Sequence, residues 1–133
     1  MHIFFDMDYT LLGVDGSLRP GTREVLQRLK NDGHTLHIWS GAGIRWPEVR
    51  AHGLESFITG CYEKPLDNLQ AGLKDWPVPV QPDLVVDDFP EIAAAFGGFW
   101  IRPYLHDGGV DDELERIYRL ISQHASAHSA APK

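Results

Sequence analysis

The stretch His2-Ile3-Phe4-Phe5-Asp6-Met7-Asp8 sets the reading of the whole chain. Its apolar run has no polar alternation, which predicts a strand buried on both faces, and it stops at Asp6. A strand of that kind needs helices on both sides, and the rest of the chain offers them. Gly13, Asp15 and Gly16 mark a turn or small flap between Leu11 and Leu18. Pro20 then opens a helix whose Val25, Leu26 and Leu29 recur at helical spacing, and Gly33 closes it.

The same alternation continues to the end. His34 to Trp39 reads as a second strand, stopping at Ser40, and a short helix follows with Pro47 in its first turn and Gly53 after it. Phe57 to Gly60 reads as a short third strand and Pro65 to Leu73 as a helix, while Pro77, Pro79 and Pro82 stiffen the next connection. Asp83 to Val86 is the clearest buried strand. Glu91 to Phe96 is a helix closed by Gly97-Gly98, and Phe99 to Arg102 is a fifth strand. Asp111 to His124 is an amphipathic closing helix with acidic residues at its start and Leu114, Ile117, Tyr118 and Ile121 in one stripe. Residues 1–124 are thus expected to form one domain, and the Ala/Ser/His tail 125–133 to be disordered.

This pattern predicts an α/β fold, in which a central five-stranded parallel sheet lies between helical layers in a Rossmann-like arrangement with right-handed crossovers. The length of 133 residues suits a single domain, and a hydrophobic fraction of 43% suffices for its core. No apolar run reaches membrane-spanning length, and no basic start leads into an apolar stretch and cleavage site, so membrane and secreted readings are disfavoured. The single cysteine, Cys61, excludes a disulfide framework or a multi-cysteine zinc site and fits a reducing cytoplasm. A formal charge of −7 disfavours a general nucleic-acid binder, yet leaves room for a divalent cation in a clustered acidic site.

In open parallel sheets the ligand lies beyond the carboxyl ends of the strands. The polar residues at those ends are Asp6 and Asp8, Ser40, Lys64, and Asp87 with Asp88. Carboxylates packed together repel one another and need a cation or a shared proton. All-oxygen ligation suits Mg²⁺, which keeps several waters and accepts a phosphate oxygen. Lys64 and Ser40 offer a phosphoryl group a point charge and a hydroxyl, helped by N–H groups of the turn from Gly41 to Gly43. A carboxylate such as Asp6 can attack phosphorus to form an aspartyl-phosphate, and one two residues on can protonate the leaving oxygen and then activate water.

Residues Ile3 to Leu12, a hydrophobic strand followed by Asp6-Met7-Asp8-Tyr9-Thr10, resemble the first motif of the haloacid dehalogenase superfamily. Ser40 ending "LHIWS", Lys64 in "YEKP" and Asp87-Asp88 in "LVVDDFPE" are similar to the second, third and fourth motifs, so the resemblance spans residues 1 to about 104. It implies a Mg²⁺-dependent phosphatase. Asp6 would be nucleophile and metal ligand, Asp8 the general acid/base with its backbone carbonyl on the metal, and Thr10 the brace of their turn on the phosphate side. Ser40, Gly41 and Lys64 would hold the phosphoryl group. Asp88 aligns better with the direct metal ligand, leaving Asp87 to orient Lys64 or a metal-bound water. An aspartate at position 8 argues for phosphatase chemistry, since dehalogenase members lack that acid.

Family members usually carry a cap domain, but neither the connection from Asp8 to Ser40 nor that from Ser40 to Lys64 has room for one. Capless relatives act on large substrates or borrow a lid from a neighbouring subunit. The expected partner is therefore a phosphorylated substrate, small or macromolecular, with a homo-oligomer as the second arrangement.

Other classes fit less well. A receiver domain shares the length, sheet, Mg²⁺ and phosphoaspartate, but its acidic pair precedes the acceptor, whereas here the pair comes last. A non-catalytic binding module would keep the fold without turnover, although no element of the site is missing. Gly41-Ala42-Gly43 imitates a dinucleotide fingerprint, but Trp46 stands where the third glycine belongs. His124 and His128 lack the glutamate of a zinc-protease helix and read as structural or surface residues.

Overall fold

Apolar runs and amphipathic stretches resolve into five strands and four helices among the residues described by the computed structural model, 1–64 and 79–130. The strands are β1 (His2–Asp6), β2 (Thr35–Ser40), β3 (Ile58–Glu63), β4 (Leu84–Asp87) and β5 (Phe99–Trp100). They form one sheet of order β3-β2-β1-β4-β5 in which every pairing is parallel. The helices are α1 (Thr22–Asn31), α2 (Trp46–Ala51), α3 (Pro90–Ala95) and α4 (Glu113–Ala130). The helix expected over Pro65–Leu73 and the start of the proline connector at Pro77 lie outside the described residues.

The two-residue period of the strands sorts the core into two layers. Ile3, Phe5, Leu36, Ile38, Leu84 and Val86 face one side of the sheet, where Leu26 and Leu29 of α1 and Ile117 and Ile121 of α4 cover them. Phe4, Trp39 and Val85 face the other side, against Ile92 and Phe96 of the α3 region. Phe4 stacks on the buried His37 with ring centroids 4.5 Å apart, and Trp39 meets Phe96 edge-on at 5.0 Å. Both faces of β1 and β4 are covered, which is why neither strand alternates in polarity.

Several boundaries move, each for a local reason. The first helix starts at Thr22 rather than Pro20, because Gly21 adopts a positive φ of 85° and the Thr22 hydroxyl donates to the Arg19 carbonyl. β3 continues to Glu63 instead of ending at Gly60, held by pairing that runs to Ser40 opposite Glu63. β5 is only two residues long, since Pro103 has no N–H with which to extend a ladder. The closing helix does not stop at His124 before a disordered tail; it runs to Ala130, through a stretch rich in alanine, the best helix former. Within it, the His124 ring packs edge-on against Phe99.

Between β1 and β2 the chain holds a small flap, with Leu12 bridged to Leu18, and α1. Between β2 and β3 it holds α2 alone. Neither connection contains an inserted domain, so neither of them covers the carboxyl edge of the sheet. No described helix is long and apolar enough to cross a membrane.

Gly98 is where the backbone itself must be bare. A Cβ there would lie 1.9 Å from the Val85 carbonyl oxygen and 2.8 Å from its nitrogen, in the middle of β4. That atom cannot be moved without breaking the ladder. Gly98→Ala is expected to destabilise the fold by about 3 kcal/mol through overpacking, lowering the melting temperature by about 10 °C. Gly109→Ala, where a Cβ meets nothing within 4 Å, is the control. A melting temperature for Gly98→Ala equal to that of the control would contradict the packing described.

Candidate active site

Parallel strands ending on one line bring distant residues together. Asp6 ends β1, Ser40 ends β2, Lys64 follows β3 and Asp87 ends β4, with Asp88 next. The Lys64 amide donates to the Ser40 carbonyl at 2.9 Å, fixing the lysine beside the end of β2. Its ammonium then lies 2.8 Å from Asp6 Oδ1 and 2.7 Å from Asp87 Oδ2, with a side chain only 4% exposed. The Trp39 ring centroid is 5.9 Å from the same nitrogen.

The carboxylates divide by what they touch. Asp87 is fully buried and both its oxygens are taken, Oδ2 by Lys64 and Oδ1 by the Phe89 amide at 2.9 Å. Asp88 has Oδ1 3.4 Å from the Thr10 hydroxyl, which also lies 3.3 Å from Asp6 Oδ2. The Asp88 backbone carbonyl accepts from the Trp100 indole at 2.8 Å, fixing the turn after β4. Oxygens of Asp6, Asp87 and Asp88 come within 4.8 Å of one another. Asp6 likewise gives Oδ1 to Lys64 and accepts from Thr10 at Oδ2, so among the described residues Asp88 is the least engaged of the three.

Electrostatics point the same way. Three carboxylates face one ammonium, so burial penalises charge that Lys64 cannot balance alone. Desolvation is the largest cause and, despite the opposing pull of Lys64, the Asp6 carboxyl is pushed up to about 7, helped by its hydrogen bond with Asp88. Burial likewise raises Asp87, and the negative charge of Asp6 adds to it. Burial works against the charge on Lys64, but the flanking Asp6 and Asp87 outweigh it and hold the ammonium above its ordinary value. The donors are all carboxylate oxygens in a cluster short of positive charge, so the residues fit a hard divalent cation.

The fourth carboxylate stands apart. Four carboxylates were expected to share one cluster, but Asp8 is 45% exposed and bound to Arg45, whose Nη1 and Nη2 meet its oxygens at 2.7 and 3.0 Å. The turn between Asp6 and Thr10 separates them. Tyr9 has a φ of 66°, a left-handed conformation rare for a bulky residue, and its amide donates to the Leu12 carbonyl at 2.7 Å. Strain of this kind persists where surroundings over-determine it. Here the Met7 carbonyl accepts from the Leu11 and Leu12 amides, and the buried Arg19 donates to the Thr10 carbonyl at 3.2 Å while gripping Asp111 at the approach to α4.

The turn after β2 is also more occupied than expected. The Ala42 amide donates to Ser40 Oγ at 3.1 Å and the Gly43 amide to the Ser40 carbonyl at 3.3 Å. Of those amides, Gly41 N–H is the one without an acceptor among the described residues. Arg45 Nη1 reaches Ser40 Oγ as well, at 3.2 Å. Sequence reasoning passed over Arg45 because it belongs to no motif. Its signal was the unfavourable place of a cation at the start of a helix, which implies a partner elsewhere. Trp46 beside it packs on the core, with Arg50 over its ring at 5.4 Å.

Comparisons with known proteins bear on the family resemblance and the fold. The family model described as haloacid dehalogenase-like hydrolase matches residues 3–60. An uncharacterised protein from Listeria monocytogenes serotype 4b, known from a crystal structure, is similar in fold at 14% identity. Its TM-score is 0.64, with 95% of this chain and 99% of that one covered. No curated protein matches significantly. With its matching first motif and its five-stranded parallel sheet, the chain is similar to the haloacid dehalogenase-like hydrolases.

Proposed function

We propose that this protein is a Mg²⁺-dependent phosphomonoester phosphatase that works through an aspartyl-phosphate on Asp6. The observation that carries the reading is the buried grouping of Asp6, Asp88, Asp87 and Lys64 at the sheet edge, three carboxyl groups with one ammonium. Asp6 and Asp88, with the Asp8 backbone carbonyl, would hold the ion, which when bound supplies positive charge to the phosphoryl oxygens. Asp87 keeps Lys64 aimed at the place where those oxygens arrive. Ser40 adds its hydroxyl, and the Gly41 amide is placed to donate beside it.

An Asp6 oxygen bonds to phosphorus as the bond from phosphorus to the leaving oxygen breaks, and Asp8 gives that oxygen a proton. Asp8 then takes a proton from water while the water oxygen bonds to phosphorus and the bond to Asp6 breaks. Thr10 holds the turn that sets the two aspartates apart. The exposed Tyr9, Ile44 and Phe89, each beside a site residue in sequence, favour a bulky leaving group over a small polar one.

Asp6→Asn is nearly isosteric and should fold yet release no phosphate, and wild type should lose activity in a chelator and regain it with Mg²⁺. Substantial turnover by the variant, or by thoroughly chelated wild type, would contradict the proposal. The metal-free protein carries a further mark of the site. A folded value of about 7, above the 3.8 of an ordinary aspartate, means the folded state keeps a proton that the unfolded chain has lost. This contribution is present below about 3.8 and lost as pH rises through about 7. In chelator, the melting temperature of Asp6→Asn should therefore gain on wild type from pH 5 to pH 8, and a constant difference would contradict it.

Asp8→Asn should slow alkyl phosphates by about 10²- to 10⁴-fold and aryl or acyl phosphates much less, since these leave without a proton. Equal losses across leaving groups would remove Asp8 from the acid role.

A further inference from the structure

The Arg45 guanidinium occupies a position that the reading above leaves unexplained. It lies between Asp8 and Ser40, both placed at the reaction, and contacts both. Its Nε is 3.3 Å from Glu48 Oε1 one turn along α2, which holds the fork from behind. With its side chain 13% exposed, Arg45 is far more enclosed than its partner Asp8. Hydrogen-bond accounting at Ser40 is also informative. Ser40 Oγ accepts from the Ala42 amide and from Arg45 Nη1, so its own O–H has no described acceptor. Two guanidinium N–H groups and a hydroxyl with no acceptor among the described residues thus converge on one spot. That combination matches two oxygens of a phosphoryl group, which the planar fork binds in the same bidentate manner as a carboxylate.

We propose, resting on the phosphatase reading, that Arg45 is a substrate-binding residue that exchanges partners. Without substrate its fork holds the Asp8 carboxylate, which stands in for a phosphate. With substrate the fork takes phosphoryl oxygens beside the Ser40 hydroxyl, and Asp8 is released to face the leaving oxygen. The exchange is energetically cheap. An ion pair whose carboxylate is nearly half exposed contributes little net stability, whereas a phosphate dianion meets the same fork with more charge. The device also accounts for an acid/base residue held outside the carboxylate cluster. An idle Asp8 is parked on Arg45, away from Asp6, and becomes available only when phosphate displaces it.

The test is direct binding of inorganic phosphate, with Mg²⁺ present, measured by calorimetry on wild type, Arg45→Gln and Arg45→Lys, beside steady-state kinetics on an aryl phosphate. Arg45→Gln should weaken phosphate binding roughly 10- to 100-fold, the scale of lost hydrogen bonds to a charged group, and raise KM in step. Arg45→Lys, which keeps the charge without the fork, should recover only part of the affinity, and its conservative chemistry keeps the test valid if the glutamine variant folds poorly. Unchanged phosphate affinity and KM with a lowered kcat would mean that Arg45 only positions Asp8, and the exchange would be overturned while the phosphatase reading stood. Wild type that neither binds phosphate nor turns over any phosphomonoester would overturn both.

Discussion

Three clustered carboxylates, two of them paired with one buried ammonium, are the constraint on which this molecule turns. Asp6, Asp87 and Asp88 come from two parallel strands and Lys64 from the end of a third, so the cluster exists only when the sheet is formed. Lys64 stitches β1, β3 and β4 together at their carboxyl ends, although β3 and β4 lie on opposite sides of β1 and β2. Burial, which Lys64 offsets only in part, pushes the Asp6 carboxyl up to about 7. A site that is costly in isolation and relieved by a cation suggests selection for binding rather than for stability.

The open edge follows from the short connections. With only a flap and α1 after β1, and only α2 after β2, no described element folds over these strand ends. The flap turns instead towards the far edge, where the Val14 amide donates to the Leu105 carbonyl and Ser17 Oγ lies 2.7 Å from the Tyr104 hydroxyl. Arg19 continues that anchorage inward, from Asp111 to the carbonyl of Thr10. The loop carrying Asp8 is therefore braced from a side of the molecule that takes no part in the chemistry. A buried arginine that pairs with Asp111 through Nε and reaches the Thr10 carbonyl through Nη1 suits such a brace, because its loss would leave the Asp111 charge unpaired.

Much of this was legible beforehand. Unbroken apolar runs at Ile3–Phe5 and Leu84–Val86 indicated strands buried on both faces, and strand-end positions nominated Asp6, Asp8, Ser40, Lys64 and the Asp87-Asp88 pair, of which Asp8 stands apart on Arg45. Two kinds of information were not local. The length of β3 depends on the partner strand rather than on its own residues, and the split of Asp87 from Asp88 depends on which carboxylate the lysine reaches. Arg45 escaped because its importance lies in three contacts across 37 and 5 residues of chain, none of which leaves a periodic trace. The helix beyond His124 was missed through weighing packing partners above the propensity of alanine.

The account stands or falls on covalent chemistry at one oxygen pair. The most direct measurement is to quench the protein during turnover of an aryl phosphate with borohydride, which reduces an acyl phosphate to an alcohol, and to map the modified residue by peptide mass spectrometry. The account predicts homoserine at position 6, absent from protein without substrate. Phosphate release with an unmodified Asp6, or with the mark on Asp8, Asp87 or Asp88 instead, would contradict it.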